Sequence, residues 1–199
     1  MNNLKKLETK NHTLGRKKET YKDTQIIRHA MKANVTQPIE AYRVIADGII
    51  CFLPGFNLTK KKMICLGTRN NHERDCFASF FQNFEVKSLD ISSKSNADYV
   101  MDFTSLPAEW ESYWDIVYSN SIDHSYSATA TFDEWLKVIK PAGILALGFS
   151  YEHETSETDI CAFEESNVES FLRSKDSIKL IGNIPGYSKN ASTWIVQKL

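Results

Sequence analysis

The sequence predicts an α/β fold in which one mostly parallel sheet carries helices on both faces. From Lys60 onward, short apolar segments alternate with segments of helical periodicity, a pattern typical of parallel strands joined by crossover helices. The stretch from Trp114 to His124 begins β-branched and aromatic, then turns polar where the next helix starts. The last two apolar segments are joined by a link too short for a crossover helix, so we expect them to pair antiparallel.

Local patterns predict the individual elements. Apolar residues with helical periodicity predict five helices, at 21–32, 38–53, 73–84, 128–139 and 165–174. Short apolar runs predict seven strands, at 63–66, 86–90, 98–101, 115–119, 143–149, 178–182 and 193–196. Pro38 suits the first turn of the second helix. These elements divide the chain into a mobile, basic arm (1–20), a helical cover over the strand ends (21–56) and a main domain (57–199), which together form one globular unit.

Composition excludes several classes of protein. The 199 residues carry a formal net charge of −1, so charge gives no case for a nucleic-acid surface. No apolar run approaches the roughly 18 residues of a membrane span, and the first residues lack the apolar core of a signal peptide. The four cysteines show no close pairing, which indicates reduced thiols in a cytoplasmic protein. Four acids between Glu152 and Asp159 would repel phosphates, so RNA and DNA are disfavoured as partners.

Polar residues at predicted strand ends are the candidates for a binding site, because ligands bind at the carboxyl ends of parallel strands. Gly67 follows the first strand, and Asp90 comes 23 residues later, close to the spacing at which a carboxylate meets a ribose diol. The alternative is a plain turn with Asp90 as a helix cap. Asp102 and Phe103 could contact an adenine ring, or Asp102 could form an Asx turn.

His124 is the candidate for a catalytic residue, because imidazole titrates near neutral pH. A contact with cofactor or substrate and a purely structural role are the alternatives, and contact is the role that we favour. His72 and Cys76 stand at i and i+4 on a predicted helix. No second pair with ligand spacing accompanies them, so we predict no metal site.

These segments together resemble the class I S-adenosylmethionine-dependent methyltransferases, which have a Rossmann-like fold. Residues 63–67 resemble the first motif of that family, 88–92 the second, 98–107 the adenine-binding segment, 114–124 the fourth-strand motif and 134–147 the segment that ends in Pro-Gly-Gly. There are departures. Cys65 stands where the family usually has an acidic residue, Arg69 and Asn71 replace the second and third glycines, and Pro-Gly-Gly is Pro-Ala-Gly here.

The resemblance implies a strand order of 3-2-1-4-5-7-6 and S-adenosylmethionine as the cofactor. It places Gly67, Thr68, Arg69 and Glu73 at the methionine end, Asp90 and Ile91 at the ribose, Asp102 and Phe103 at the adenine, and Asn120 and His124 near the methyl group. Ser121 is a further candidate for cofactor binding. Glu73 could supply the acidic group missing at Cys65. The expected reaction is methylation of a small molecule or polar metabolite.

Two other functions stay open. Because the loop lacks the second and third glycines, one alternative is a catalytically inactive, methyltransferase-like binding or scaffold subunit. A nicotinamide-dependent dehydrogenase is a weaker alternative, because the Gly-x-Gly-x-x-Gly motif of that class is absent. The sequence predicts no oligomeric state.

Overall fold

A computed structural model describes residues 18–31, 36–52, 60–151, 161–186 and 188–199. Most of the predicted arm (1–17) and all four acids between Glu152 and Asp159 therefore lie outside the described residues. None of the helices in the described ranges is both long enough and apolar enough to cross a membrane.

Seven strands form a single sheet in the order β3-β2-β1-β4-β5-β7-β6, which confirms the predicted order. They are β1 (Lys61–Leu66), β2 (Phe84–Asp90), β3 (Tyr99–Val100), β4 (Trp114–Ser119), β5 (Ile139–Ser150), β6 (Ile178–Pro185) and β7 (Ala191–Lys198). The first five strands pair parallel. As predicted, β7 pairs antiparallel with both β5 and β6.

Helices cover both faces of this sheet, also as predicted. They are α1 (Lys18–Met31), α2 (Ile39–Phe52), α3 (His72–Phe80), α4 (Ala128–Val138) and α5 (Glu165–Arg173). Alternate residues of a strand point to opposite faces. Met63 and Cys65 of β1 therefore pack in one core with α2 and α3, whereas Ile64 and Leu66 pack in the other with α4 and α5.

Several boundaries differ from the prediction; for example, α3 ends at Phe80 rather than at 84, because β2 already begins at Phe84. Two of these differences have further local reasons. Lys18 begins α1, so the last three residues of the predicted arm are helical. Ile139 rather than Gly143 begins β5, since Ile139 already pairs with Trp114 of β4. The register then shifts, and Ile144 lies opposite Ile116. Ala142, with a φ of 61°, lies in this shifted stretch, inside the Pro-Ala-Gly segment.

The two N-terminal helices occupy different places. The hydroxyl of Tyr21 in α1 donates to the carbonyl oxygen of His124 (2.8 Å), so α1 lies at the carboxyl ends of the strands. In contrast, α2 buries Tyr42, Ile45 and Ile49 against a face of the sheet. The expected cover over the strand ends therefore describes α1, whereas α2 packs on a face of the sheet and also brings Tyr42 and Ile45 to the edge where the parallel strands end.

Candidate functional site

Two cavities lie side by side at the carboxyl ends of the parallel strands, one of about 140 Å³ and one of about 370 Å³. All eleven predicted site residues line them. Asp90, Ile91, Asp102 and Phe103 line the first; Thr68, Arg69, Glu73, Asn120 and Ser121 line the second; Gly67 and His124 line both. The structure thus brings the predicted residues together, and their individual roles stay predictions.

Gly67 stands where the two cavities meet and has a conformation that favours glycine. Its φ is 79°, in the left-handed region. A Cβ atom at this position would lie 2.8 Å from both Cβ and Oγ of Ser121. The Gly67 amide donates to the carbonyl oxygen of Leu89 in β2 (2.8 Å). Neither the backbone nor the space around it accommodates a larger residue here.

In the loop after Gly67, two non-glycine residues also adopt left-handed backbone conformations. Arg69 has a φ of 49° and Asn71 a φ of 63°, conformations that cost a non-glycine residue about 1–2 kcal/mol and that asparagine adopts most readily. Asp90 holds this loop, since its Oδ2 accepts from the amide of Arg69 (2.9 Å) and its Oδ1 from the amide of Ser92 (2.8 Å). The fully buried Asp90 carboxylate therefore fixes the loop as well as lining the cavity.

The Asp102 carboxylate, which also lines the first cavity, interacts with two residues. Its Oδ1 accepts from the amide (2.9 Å) and the hydroxyl (2.7 Å) of Thr104, the turn predicted as the alternative for this residue. Its Oδ2 lies 2.5 Å from Nζ of Lys22 in α1. Burial opposes ionisation, but the hydrogen bonds from Lys22 and Thr104 outweigh it and lower the pKa of Asp102.

Phe103 is fixed by α4. Its ring meets that of Trp135 edge to face at 5.5 Å, and its carbonyl oxygen accepts from Nε1 of Trp135 (2.9 Å). The aromatic ring predicted to cover an adenine is thus anchored on the core side and lines the first cavity.

Glu73 is a buried carboxylic acid in the wall of the second cavity, with 9% of its surface exposed. It lies in the first turn of α3, and its Oε1 accepts from Nδ2 of Asn120 (3.1 Å) and the hydroxyl of Tyr42 (3.4 Å). Burial raises the pKa of Glu73 to about 7, although the Asn120 hydrogen bond and nearby Arg69 oppose the rise. A group with such a pKa changes charge near neutral pH.

Aromatic hydroxyls of two other elements adjoin this acid. Tyr42 of α2 and Tyr118 of β4 meet edge to face at 6.4 Å. Burial raises the pKa of both phenols, and the Glu73 carboxylate raises it further. Sequence reasoning counted Tyr42 only as part of an apolar stripe, because periodicity does not distinguish a phenol that packs from one that donates.

The polar segment after β4 folds back on the glycine loop. Ser121 Oγ donates to the carbonyl oxygen of Gly67 (3.3 Å), and a 3-10 turn, Ile122–His124, follows. His124 is held through its main chain, since its amide donates to the Ser121 carbonyl (3.1 Å) while its own carbonyl accepts from Tyr21. These contacts place the His124 side chain between the two cavities.

Three residues of α1 complete the first cavity: Tyr21, Lys22 and Gln25. Tyr21 also meets the ring of Tyr126 edge to face at 4.8 Å. None of the three was a candidate from the sequence. Amphipathic spacing indicates which face of a helix is buried, but not what that face contacts.

Among the described residues, no three His, Cys, Asp or Glu side chains converge as a metal site would require. The side chain of His72 makes two contacts within the chain, one of them with Cys76. Nε2 of His72 lies 2.7 Å from the carbonyl oxygen of Gln37 and 3.6 Å from Sγ of Cys76.

Comparisons with known proteins agree on the fold. No family model matches the chain, and no curated protein matches its sequence. Many solved structures do match. The N-methyltransferase NodS from Bradyrhizobium japonicum WM9, solved with S-adenosyl-L-homocysteine, aligns at a TM-score of 0.61 with 9% identity, over 87% of this chain and 98% of that one.

Two further neighbours differ in their described activities. A candidate S-adenosylmethionine-dependent methyltransferase from Methanococcus maripaludis aligns at a TM-score of 0.58 with 18% identity, over 92% of this chain and 95% of that one. The [4+2]-cyclase SpnF aligns at 0.58 with 13% identity, over 77% and 79%. Structural similarity at such low sequence identity establishes the fold but not the reaction. In its strand order and its neighbours, the chain has the fold of the class I S-adenosylmethionine-dependent methyltransferases.

Proposed function

We propose that the protein is an S-adenosylmethionine-dependent methyltransferase that acts on a small molecule or polar metabolite. The observation that carries the proposal is the convergence of all eleven predicted residues on two adjoining cavities at the carboxyl edge of the sheet. Open α/β sheets bind ligands at this edge. The second cavity, of about 370 Å³, falls within the roughly 300–1,000 Å³ of typical ligand sites.

The residues present fit the cofactor in several respects. Gly67 keeps the backbone open where the two cavities meet. Phe103 offers an aromatic ring in the first cavity, and Asp90 and Asp102 offer carboxylates. In the second cavity, Nε of Arg69 is buried without a hydrogen-bond partner among the described residues. A buried donor of this kind is costly unless a ligand satisfies it.

In this proposal, bound S-adenosylmethionine supplies a methyl group activated by its sulfonium. The chain holds the acceptor in line with that methyl group, which is an effect of proximity. Asn120 and His124 border the second cavity and would contact the reacting groups. His124 would either contact the cofactor or accept the proton that the acceptor releases, and the imidazole suits both roles.

The scaffold alternative requires the bulky loop residues to fill the methionine end of the site. The side chain of Asn71 instead donates to the carbonyl oxygen of Asn96 and does not line the second cavity. Arg69 lies in the cavity wall, and the cavity is still about 370 Å³. The open cavity supports cofactor binding at the methionine end of the site. The cyclase neighbour nevertheless makes a direct test necessary, because the same fold carries another activity.

The proposal includes a cytoplasmic location, with four free cysteines as support. It also includes a small-molecule partner rather than a nucleic acid. An electrophoretic shift with a mixed RNA pool at low salt checks the second point. Tight, salt-sensitive retention of RNA would contradict it.

Calorimetry with S-adenosylhomocysteine tests the cofactor. The proposal expects saturable binding at micromolar to sub-millimolar ligand, and competition by S-adenosylmethionine. Absence of binding at millimolar ligand, with circular dichroism showing a folded protein, would contradict the methyltransferase assignment and favour the scaffold. If S-adenosylhomocysteine binds, a screen of polar metabolites with labelled S-adenosylmethionine identifies the acceptor class.

A further inference from the structure

The second cavity has a charged end and an uncharged end. Its acidic and basic side chains stand on the segments that follow β1 and β4: Arg69, His72, Glu73, Asp123 and His124. The other end is formed by β5, β7 and the link before β7, whose described residues bring no acidic or basic side chain into the lining. We infer that this uncharged end binds the methyl acceptor by a neutral polar group, and that Ser192 and Thr193 determine this specificity. The inference rests on the proposed function.

The uncharged end is separate from the residues predicted to bind the cofactor. All eleven predicted site residues precede residue 125 and stand at or after the ends of the first four strands. None of them belongs to the wall made by β5 and β7. In the register of this antiparallel pair, Gly148 lies opposite Thr193, and Phe149 lies opposite Ser192. This part of the cavity is therefore left for a ligand other than the cofactor.

Thr193 has a buried hydroxyl group without a partner. The residue is 4% exposed and lines the second cavity, and its side chain makes no hydrogen bond within the described residues. Residues that lie opposite each other in a strand pair share one face of the sheet, and Gly148 has no side chain to cover this hydroxyl. A Cβ atom on Gly148 would lie 2.9 Å from Cβ of Asn120, so Thr193 and Asn120 face the same part of the cavity. A buried hydroxyl needs a partner, which a bound ligand would supply.

Ser192 is oriented as a hydrogen-bond donor by two aromatic side chains. Nε1 of Trp194 donates to the hydroxyl oxygen of Tyr151 (2.8 Å), and that oxygen lies 2.7 Å from Oγ of Ser192. Because an indole N–H only donates, Tyr151 accepts from Trp194 and is left to donate its own hydrogen to Ser192. Ser192 is buried and lines the second cavity. Its own hydroxyl hydrogen then remains available for a ligand oxygen.

The surroundings of the two hydroxyls indicate the chemical class of the acceptor. Two hydroxyls complement a hydroxyl, carbonyl or amide group of a ligand. A phosphate or carboxylate group buried beside them would have no cation in the described part of this wall, and an unpaired buried charge is costly. The rings of Tyr42, Tyr118 and Phe149 line the same cavity and add apolar surface. A small molecule with an apolar frame and an uncharged polar end fits this arrangement.

Five probes of similar size separate these features. The polar end is neutral in 2-phenylethanol and phenylacetamide, charged in phenylacetate and phenyl phosphate, and missing in ethylbenzene. Calorimetry first measures S-adenosylhomocysteine binding to each protein, and ligand-observed NMR then measures the affinity of each probe for the S-adenosylhomocysteine complex. The variants are Thr193→Val, Thr193→Ser, Ser192→Ala and Ser188→Arg, the last at an exposed position of the same wall. Lys189→Ala and Ser166→Ala are matched controls, because both residues are exposed and line neither cavity.

We expect the wild type to bind the two neutral probes at least about 10-fold more tightly than the two charged ones. Thr193→Val and Ser192→Ala should each weaken the neutral probes by about 2- to 10-fold, the net effect of one hydrogen bond. Neither change should weaken ethylbenzene or S-adenosylhomocysteine, and Thr193→Ser should retain most of the affinity because the hydroxyl stays. Ser188→Arg should improve binding of phenylacetate and phenyl phosphate, since a guanidinium pairs with both anions. Both controls should behave like the wild type.

Three results would overturn the inference. One is equal or tighter binding of the charged probes by the wild type. Another is unchanged affinity for the neutral probes in both Thr193→Val and Ser192→Ala, or a loss that ethylbenzene shares, which would indicate a general effect on the cavity. The third is that no probe binds to a chain that does bind S-adenosylhomocysteine. Failure of the wild type to bind S-adenosylhomocysteine, measured first, would instead overturn the proposed function and this inference with it.

Discussion

Replacing the Glu73 carboxyl group by an amide should stabilise the fold above neutral pH. Burial raises the pKa of Glu73 from 4.5 to about 7. Between these values the folded state keeps a proton that the unfolded state releases, so stability falls as pH rises through this window. Each pKa unit corresponds to about 1.4 kcal/mol, so the ionised carboxylate destabilises the fold by about 3 kcal/mol at pH 7.5. Glutamine keeps the shape of the side chain and has no such titration.

The assay is urea unfolding of wild type and Glu73→Gln at pH 4.5, 6 and 7.5. The stability difference between the two should grow in favour of the variant by about 3 kcal/mol from pH 4.5 to pH 7.5. Asp75→Asn, a change at an exposed acid of the same helix, should follow the wild type at every pH. A pH-independent difference between wild type and Glu73→Gln would refute the argument, because it would mean that Glu73 ionises equally easily in both states.

Three further changes test other parts of the site. Gly67→Ala should cost at least about 1–2 kcal/mol in urea unfolding and weaken S-adenosylhomocysteine binding, because it forces a left-handed alanine against Ser121; unchanged stability would contradict the close approach. Lys22→Ala should cost no more than about 1 kcal/mol at pH 7, because the ion pair with Asp102 is partly exposed, and this cost should vanish as acid protonates Asp102. His124→Ala should weaken ligand binding, because His124 lines both cavities; wild-type affinity with turnover reduced about 10²- to 10⁴-fold would instead indicate proton transfer.

The sheet and the place of the site could be predicted because both depend on simple periodicities. Apolar runs identify the strands, and the carboxyl ends of parallel strands meet at one edge. Gly67, Asp90 and Asn120 were therefore expected near one another, and the structure brings them to adjoining cavities. The antiparallel final pair followed from the length of one connection.

Other features depend on contacts that no local pattern encodes. Arg69 and Asn71 adopt left-handed conformations because Asp90 and Asn96 hold the loop from other segments. Lys22 meets Asp102 only because α1 lies across the strand ends. The early start of β5 depends on the pairing of Ile139 with Trp114 of β4.

A crystal structure of the protein with S-adenosylhomocysteine tests the central claim most directly. The account predicts the adenosine in the cavity lined by Asp90, Asp102 and Phe103, and the amino-acid end in the cavity lined by Arg69 and Glu73. The sulfur should lie near Gly67 and His124, which border both cavities. A ligand bound elsewhere on the molecule, or both cavities empty at saturating ligand, would contradict the account.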